Sequence, residues 1–376
     1  MAPALEGCTV KHVTVIGAGV IGLTTALKIQ EQPGYEVTII ADHFPTDTER
    51  KATYASQWAG AHHVSVAGTD EFQREIDMET FQTMWELSEE GGKAADCFMR
   101  LPQVEYYREQ RTHDTLKFMP GFKELTAEQL TVPNAVCGLT YNSVNTFVPL
   151  FNNYLLSRFL SAGGHIIRGH IQHIEQIMEN GNTNFASPAE DHRTPSHPDA
   201  VIVCAGIGAR TLGGVEDQTV YPARGQTLLV RAPWLDTCMS ISGGESGLWT
   251  YVIPRKNGDA ILGGTYEADD WYPLPRPETT TDILQRTLEL CPNLAPPEIR
   301  WEREPTIEDI RPLIISENCG FRPCRKNGVR LELEWKEFQG NRVPVVHNYG
   351  HGGFGFIASF GSASVVFKLL KQAFEE

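Results

Sequence analysis

The stretch HVTVIGAGVIGLTTALKIQEQ, residues 12–32, decides the fold of the first part of the chain. Its alternating and then continuous apolar residues predict a strand, its glycines predict a tight turn, and the helix formers at 23–30 predict a helix. In such a turn, Gly17 permits the sharp bend, Gly19 lets the backbone approach a pyrophosphate, and Gly22 lets helix and strand pack closely. The free amides at the helix start stabilise the bound anion. The stretch therefore predicts a dinucleotide-binding unit.

A carboxylate follows the next predicted strand. The segment YEVTIIAD, residues 35–42, ends in Asp42, about 20 residues after the last glycine, as a ribose 2′-hydroxyl acceptor requires. A carboxylate here disfavours a 2′-phosphate, so NAD and FAD remain and NADP is not expected. The segment DAVIVCAGIGAR, residues 199–210, reads as a buried strand that enters a turn of small residues. It favours a flavoprotein, although any α/β core strand has the same pattern.

Length and charge restrict the class of partner. A chain of 376 residues most naturally forms two domains. Its formal charge of −15 argues against a phosphate-backbone partner, so we expect small-molecule partners and no nucleic acid. The longest nearly apolar stretch, residues 13–23, is far shorter than the roughly 20 residues that span a bilayer, so no membrane span is expected.

Neither the cysteines nor the histidines form a metal-binding pattern. The eight cysteines lack C-x-x-C spacing, and the amino-terminal MAPALEGC does not resemble a signal peptide, so we expect reduced thiols and no secretion. Asp191, His192 and His197 could ligate a metal, but their polar, proline-rich surroundings favour a solvated loop. We therefore predict no metal site.

The middle of the chain alternates between helical and strand patterns. Residues 69–100 have helical spacing and predict a helix whose apolar side chains lie in the core. Residues 148–164 predict an amphipathic helix closed by glycine, and residues 165–177 predict strands. From residue 220 to residue 267 the pattern is that of a sheet.

These patterns predict an α/β protein in which a Rossmann-like cofactor domain is interleaved with a mixed-sheet α+β substrate-binding domain. We expect the cofactor domain to comprise residues 1–70, 148–218 and 312–376. The substrate-binding domain is expected to comprise residues 71–147 and 219–311.

The segment VVHNYGHGGFGFIASFGSA, residues 345–363, points to a particular family. Two aliphatic residues, His-Asn-Tyr-Gly and spaced glycines match the signature of the FAD-dependent D-amino acid oxidase family, which also includes the D-aspartate oxidases. Further landmarks of that family, in its order, are GAGVIGL, YASQWAGAHH, VIVCAGIGAR, ARGQ, YVIPR, LGGTY and GFRP. The chain resembles this family, in its fungal form, over essentially its whole length.

The resemblance implies that the cofactor is FAD, held by the Rossmann-like domain. The glycines of 350–355 are expected to run against the flavin ring, and the helix that starts there favours negative charge on the reduced flavin. The residues assigned to FAD by the resemblance are Gly17, Ala18, Gly19, Val20, Ile21, Gly22, Asp42, His43, Ser56, Ala59, Gly60, Ile171, Ala205, Gly206, Gly350, Gly352, Gly353, Phe354 and Gly355.

The resemblance also implies a carboxylate clamp for the substrate. Arg322 in GFRP matches the family's carboxylate-binding arginine. A planar guanidinium suits this role because it grips both carboxylate oxygens. Arg325 is the alternative clamp, although we expect it to form a structural or solvated ion pair. Tyr251 and Tyr266 match the tyrosines that steady the carboxylate in fungal members, although each could instead be a core aromatic of a strand.

The reaction implied by the resemblance is oxidation of a D-amino acid. A hydride passes from the substrate Cα to flavin N5, with no obligatory general base. Oxygen then reoxidises the flavin and gives hydrogen peroxide, and the imino acid hydrolyses to a 2-oxo acid and ammonia.

The side-chain preference stays open. By resemblance, Gly353 falls where backbone contacts the substrate amine, and Met239 lines a pocket that admits varied apolar side chains. His62 or His63 could favour D-aspartate or D-glutamate, although we prefer one histidine at the flavin and the other buried and neutral. We expect an oxidase of broad, neutral preference, with a D-aspartate or D-glutamate oxidase as the alternative.

Two other classes remain to be weighed. A nicotinamide-dependent dehydrogenase is disfavoured by the carboxy-terminal glycine signature, and a non-catalytic flavin-binding protein by the presence of the clamp residues. Peroxide production suggests the peroxisome, although the terminal KQAFEE is not a Ser-Lys-Leu address, which leaves the cytoplasm as the alternative. The oligomeric state is open, with a homodimer as one alternative.

Overall fold

A computed structural model describes residues 10–65, 67–68, 70–112, 114–181, 185, 197–244 and 248–376. Asp191 and His192, the two metal ligands weighed above beside His197, lie outside these described residues. The chain forms two compact units. The first unit comprises the chain up to Glu49 with Asn152–Tyr221 and Pro323–Glu376, and the second unit comprises Arg50–Phe151 and Pro222–Arg322.

The strands, in chain order, are β1 (Lys11–Ile16), β2 (Tyr35–Ala41), β3 (Phe98–Tyr107), β4 (Lys123–Glu124), β5 (Cys137–Thr146), β6 (His165–Arg168), β7 (Ala200–Val203), β8 (Val220–Arg231), β9 (Cys238–Ser242), β10 (Thr250–Pro254), β11 (Asp259–Gly263), β12 (Glu267–Ala268), β13 (Ile314–Arg325), β14 (Arg330–Phe338) and β15 (Asn341–Tyr349). The α-helices are α1 (Val20–Gln30), α2 (Glu71–Leu87), α3 (Val148–Ser161), α4 (Glu175–Asn180), α5 (Pro277–Leu290), α6 (Pro297–Glu302), α7 (Ile307–Ile310) and α8 (Gly355–Glu375).

The first unit is built on a six-stranded sheet. The strand order is β14-β15-β7-β1-β2-β6, with the β14 and β15 hairpin antiparallel and the other neighbours parallel. Val13, Val15 and Ile16 of the central strand β1 are buried, as expected for a parallel strand covered on both faces. The unit is therefore the predicted Rossmann-like sheet, with β1 leading directly into α1.

The second unit is built on a mixed sheet. Its main path is β12-β8-β11-β10-β9-β3-β5-β4, and β13 pairs with β8. The β3 and β9 pair is parallel, whereas β9 with β10 and β3 with β5 are antiparallel. One apolar cluster packs Leu228 and Val252 with Ile283 of α5, and a smaller one joins Ile253 and Ile261 to partly buried Tyr251.

The fold class is confirmed, and two local predictions need correction. The helix predicted over 69–100 ends at Leu87, and Phe72 is half-exposed rather than in the core, because Ser88 and a glycine-containing turn interrupt the chain before β3. Of the strands predicted at 165–177, only β6 forms. The strand stops before Gly169, and α4 begins at Glu175. The helix predicted over 148–164 is confirmed as α3.

The division into units differs from the predicted domain boundaries mainly in two places, with smaller shifts at residues 148–151 and 219–221. Residues 50–70 and 312–322 lie in the second unit, whereas the sequence pattern placed them with the cofactor domain. The reason for the first difference is visible in the hydrogen bonds, because His63 N–H donates to Val144 O and Phe321 N–H donates to Ala52 O, all within the second unit.

The structure also bears on the predictions about membrane spans, thiols and metal sites. None of the described helices is long and apolar enough to cross a membrane. The seven cysteines within the described ranges are free thiols. In the same ranges no group of His, Cys, Asp and Glu is arranged to hold a metal ion, and Nδ1 of His197 lies 3.0 Å from Met178 O.

Candidate active site

The glycine turn between β1 and α1 has no room for side chains. Gly17 adopts φ +103°, and a Cβ built on it would lie 2.5 Å from the Cys204 carbonyl oxygen. A Cβ built on Gly22 would lie 1.9 Å from the Gly17 carbonyl oxygen. Both contacts are with backbone atoms, so a side chain at either position would force the backbone to move. The turn therefore holds the start of α1 against the end of β7, where Ala205 and Gly206 follow.

The starts of α1 and α8 lie side by side in the first unit. A Cβ built on Gly355 would lie 3.7 Å from Val20 Cγ1 and 3.9 Å from Ile21 Cγ1. The residues that precede the two helices, Gly19 and Phe354, carry no side-chain acceptor, and neither first turn contains an acidic residue. Two positive helix ends thus meet at one place. This arrangement fits the pyrophosphate of a dinucleotide such as FAD.

Asp42 stands just after β2, where a ribose hydroxyl acceptor was predicted. Its carboxylate lies 2.9 Å from His170 Nδ1 and is half-exposed. Arg168 donates to the Asp42 carbonyl oxygen at 2.8 Å and grips Asp47 through both terminal nitrogens. The Arg168 hydrogen bond holds the pKa of Asp47 below its ordinary value. His43 Nδ1 lies 3.7 Å from the same Asp47 carboxylate, so these groups fix the backbone that presents Asp42.

The carboxy-terminal glycine segment is held by the end of β13. Gly350 and Gly352 have φ of +90° and +56°, and Gly352 N–H donates to Pro323 O at 2.9 Å. The side chain of His351 is buried, and burial lowers its pKa to about 4, so it is neutral at pH 7. Gly353, in contrast, is exposed. The segment therefore presents bare backbone, as contact with a flat ring requires. Ile171, also assigned to FAD, packs on the core of this unit.

Tyr251 lies in the second unit, on β10 between two glycine positions. A Cβ built on Gly263 would lie 2.4 Å from its ring, and one built on Gly264 would lie 2.6 Å from its hydroxyl. The His62 ring centroid is 6.4 Å from that of Tyr251. A Cβ built on Gly60 would lie 3.7 Å from the Tyr251 ring. The segment that carries Gly60 and His62 therefore lies beside the predicted clamp tyrosine.

Arg322 of β13 sits on the backbone of β8. Its Nη1 donates to Thr265 O at 2.8 Å, and a Cβ built on Gly225 would lie 2.2 Å from the same nitrogen. No carboxylate of the described residues forms an ion pair with it. Tyr266 follows Thr265 directly and is 54% exposed. The Thr265 carbonyl group thus holds Arg322 next to Tyr266, and the described residues offer this cation no counter-ion.

Arg325, the alternative clamp, is engaged elsewhere. Its Nε lies 2.7 Å from Asp217 Oδ2, and Asp217 also accepts hydrogen bonds from Thr219 and from the Tyr349 hydroxyl. These hydrogen bonds outweigh desolvation and hold the pKa of Asp217 well below its ordinary value. Arg325 is therefore neutralised by a structural ion pair of the first unit.

Met239 is not brought together with Tyr251. On β9 it pairs with Val252, whereas Tyr251 pairs with Ser240, so the two side chains leave opposite faces of the sheet. Met239 packs against the core cluster that contains Val252. The sequence resemblance could not reveal this, because a shift of one residue in strand register exchanges the two faces.

Arg255 was missed by sequence reasoning, although it closes the YVIPR landmark. It is buried, its Nη2 donates to Ala59 O at 3.0 Å, and burial lowers its pKa to about 10. Ala59 follows the short helical segment that holds Ser56. Three residues assigned to FAD, Ser56, Ala59 and Gly60, therefore lie on a segment that Arg255 anchors to β10 within the second unit.

Comparison with known proteins covers nearly the whole chain. The model of the family described as "FAD dependent oxidoreductase" matches residues 12–369. A D-aspartate oxidase of Cryptococcus neoformans var. grubii is 38% identical, with 99% of each chain covered, and a D-amino-acid oxidase of Schizosaccharomyces pombe is 32% identical, with 94% of each covered. The solved structure of glycine oxidase from Bacillus cereus has a TM-score of 0.66 at 18% identity, covering 96% of this chain and 95% of that one. That likeness concerns the fold.

Proposed function

The chain belongs to the family of FAD dependent oxidoreductases, and on that premise we propose that it oxidises D-amino acids. One D-amino acid, one O2 and one water would give one 2-oxo acid, one ammonia and one hydrogen peroxide. Relatives named D-amino-acid oxidase and D-aspartate oxidase, aligned over nearly their full length, support this substrate class.

A single observation carries the proposal. Arg322 is a guanidinium without an ion-pair partner in the described part of the chain, fixed at one end by Thr265 O. A carboxylate placed against its free edge would form two parallel charge-assisted hydrogen bonds. Tyr266 adjoins this position along the chain, and Tyr251 lies on Gly264, the residue before Thr265. An α-amino acid carboxylate is the simplest ligand for such a set.

The residues of the chain supply binding and orientation. Bound FAD would accept the hydride from the substrate Cα and return the electrons to oxygen. Its pyrophosphate would lie at the amides of Gly19 and Gly355, and its ribose at Asp42. Arg322 would hold the substrate carboxylate, and Tyr251 and Tyr266 would donate hydroxyl hydrogen bonds to it. A fixed carboxylate restricts the directions in which the Cα hydrogen can point, which is the contribution of these residues to the rate.

The alternative is an oxidase specific for D-aspartate or D-glutamate. It is favoured by the D-aspartate oxidase relative at 38% identity and by His62, which lies beside Tyr251. Burial lowers the pKa of His62 to about 4, however, so it is neutral at pH 7 and would bind a second carboxylate only as a hydrogen-bond donor. This observation supports the broad oxidase as the first proposal.

Peroxide release by the purified flavoprotein decides between the two. D-alanine, D-aspartate, D-glutamate and their L-forms are supplied at matched concentrations. We expect turnover led by D-alanine. Turnover led by an acidic D-form would establish the alternative, and His62→Ala should then reduce turnover of D-aspartate more than that of D-alanine. Silence with all D-forms would contradict both proposals.

Arg322→Ala tests the clamp directly. Removal of a charge-assisted hydrogen-bond partner costs about 1.5–3 kcal/mol, so we expect KM to rise about ten- to a hundredfold. Arg231→Ala is the matched control, because Arg231 forms an exposed ion pair with Asp259 on the same unit and should leave KM unchanged. Unchanged KM in Arg322→Ala would remove this residue from the site.

We also propose a peroxisomal location, because an enzyme that releases peroxide is safest beside enzymes that destroy it. Cell fractionation tests this, and a cytoplasmic pool would contradict it.

A homodimer is proposed as the assembled state, to be checked by light scattering of the flavin-loaded protein.

A further inference from the structure

Arg224 of β8 is a buried arginine outside the proposed clamp. Its side chain is 0% exposed. Nε donates to Tyr272 O at 2.9 Å, and Nη1 donates to Glu267 Oε2 at 2.6 Å. Nη2 donates to Leu274 O at 2.6 Å and to Gln226 Oε1 at 3.1 Å. A charge buried in this way is stable only because its donors are matched, so its partners are fixed with it.

Three of the four partners of Arg224 lie on one stretch of chain, residues 267–274. Glu267 pairs with Arg224 in the β8 and β12 ladder, and Asp269 N–H donates to Pro222 O. The large side chains of this stretch, Trp271, Tyr272 and Leu274, are 49%, 46% and 57% exposed. These side chains are only about half covered, with the Trp271 ring packed edge-on against buried Phe321 at 5.7 Å between centroids, so polar contacts with β8 are a large part of what holds the stretch.

Arg276 supports the same stretch from the protein surface. It forms ion pairs with Glu267 at 3.1 Å and with Asp270 at 2.7 Å, and its side chain is partly exposed. Surface ion pairs contribute little by themselves. The two backbone carbonyls that Arg224 binds, at Tyr272 and Leu274, are the contacts that determine the path of the chain.

The stretch 267–274 begins directly after Tyr266. A residue of β8 also holds Thr265, which directly precedes Tyr266. Gln226 N–H donates to Thr265 Oγ1 at 2.8 Å, and the Thr265 carbonyl oxygen accepts from Arg322. Residues 224–226 therefore hold the residues on both sides of Tyr266, through the side chains of Thr265 and Glu267. They also fix the carbonyl group on which the clamp arginine rests.

We propose that Arg224 is a positioning residue of the oxidation: by holding residues 267–274 it sets the place of Tyr266 and, through Thr265, the place of Arg322. The inference rests on the proposed function, since it concerns the same carboxylate clamp. Arg224 does not touch the substrate and acts through the backbone on either side of Tyr266. The exposed aromatic stretch 267–274 is thus held in one position and does not move during the reaction.

Arg224→Lys is the decisive variant. Lysine keeps the positive charge, but a single ammonium group cannot reach Glu267 and two separate carbonyls in the directions that the guanidinium fork does. In the FAD-loaded protein, hydrogen exchange of the amides at 265–276 is expected to quicken. KM and the Kd of the 2-oxo acid product, followed by flavin absorbance, are expected to rise about tenfold, with kcat within about threefold of the wild-type value.

Two further variants complete the experiment. Arg231→Lys, on the exposed end of the same strand, should leave all of these quantities at their wild-type values. If Arg224→Lys does not fold, Glu267→Gln keeps the test, because it retains an acceptor and removes the charge; its KM should rise about threefold.

The outcomes separate the inference from the function on which it rests. Wild-type exchange at 265–276 together with wild-type KM in Arg224→Lys, or in Glu267→Gln if it is the variant measured, would overturn the inference. A loss of kcat with no change in KM or product affinity would overturn it as well. If the wild-type protein releases no peroxide with any D-amino acid, the proposed function fails, and the exchange rates still decide whether Arg224 holds the stretch.

Discussion

At the scale of single residues, Gly225 shows how the proposed clamp depends on the absence of a side chain. The Arg322 guanidinium occupies the space above its Cα, and a Cβ there would lie 2.2 Å from Nη1 and 2.6 Å from Cζ. Such contacts must be relieved by movement. Because the guanidinium is the far end of a flexible side chain, it will move before the sheet does.

We therefore predict that Gly225→Ala folds normally but binds substrate poorly. Displacement of the guanidinium should break its hydrogen bond to Thr265 O and raise KM about tenfold, or about 1.4 kcal/mol. Steady-state kinetics and the thermal unfolding midpoint are measured together. A fall in the midpoint with an unchanged KM would mean that the sheet, not Arg322, had given way.

Sequence reasoning reached Arg322 but not the residues that support it. A motif such as GFRP identifies an arginine by its place in the chain. Its partners are 97 and 57 residues away along the chain, at Gly225 on β8 and at Thr265 between β11 and β12. Which residues meet across strands depends on register, and the sequence pattern alone does not determine it. The same limit explains why Met239 was expected in the pocket and lies on the opposite face from Tyr251.

At the scale of elements, the connection from β1 to α1 was predictable because every one of its requirements is local. The apolar strand, the glycines and the helix formers are contiguous, and they form β1, the turn and α1 in that order. The stretch at 165–177 was less predictable. Its apolar residues suit either a strand or a helix, and packing within the first unit decides that Ile174 and Ile177 belong to a helical region.

The turn makes Gly22→Ala a sharp test of the cofactor site. Its Cβ would lie 1.9 Å from the Gly17 carbonyl oxygen, so α1 must shift away from the turn. We expect purified Gly22→Ala to contain little FAD, measured as flavin absorbance per protein, and to unfold at a lower temperature. In Gly208→Ala the new Cβ would make only an ordinary 3.8 Å contact with Ala205, and flavin content should be retained. Full flavin content in Gly22→Ala would contradict the site.

At the scale of the whole molecule, buried histidines make stability depend on pH. Burial lowers the pKa of His62, His347 and His351 to about 4 and that of His63 to about 3. In the unfolded chain each would titrate near 6.5. Between these values the unfolded state binds more protons than the folded state, so stability falls as the pH falls from about 6.5 towards 4.

His347→Gln tests this dependence at one site. Nε2 of His347 lies 2.9 Å from Glu334, and a glutamine can donate a similar hydrogen bond without titrating. We predict that the unfolding midpoint of the wild-type protein, measured with excess FAD, falls between pH 7 and pH 5, and that the fall is smaller in His347→Gln. At pH 7, where His347 is neutral, the two proteins should differ little. Parallel pH profiles for both would show that His347 takes up its proton over the same pH range in the folded and unfolded states, contrary to the effect of its burial.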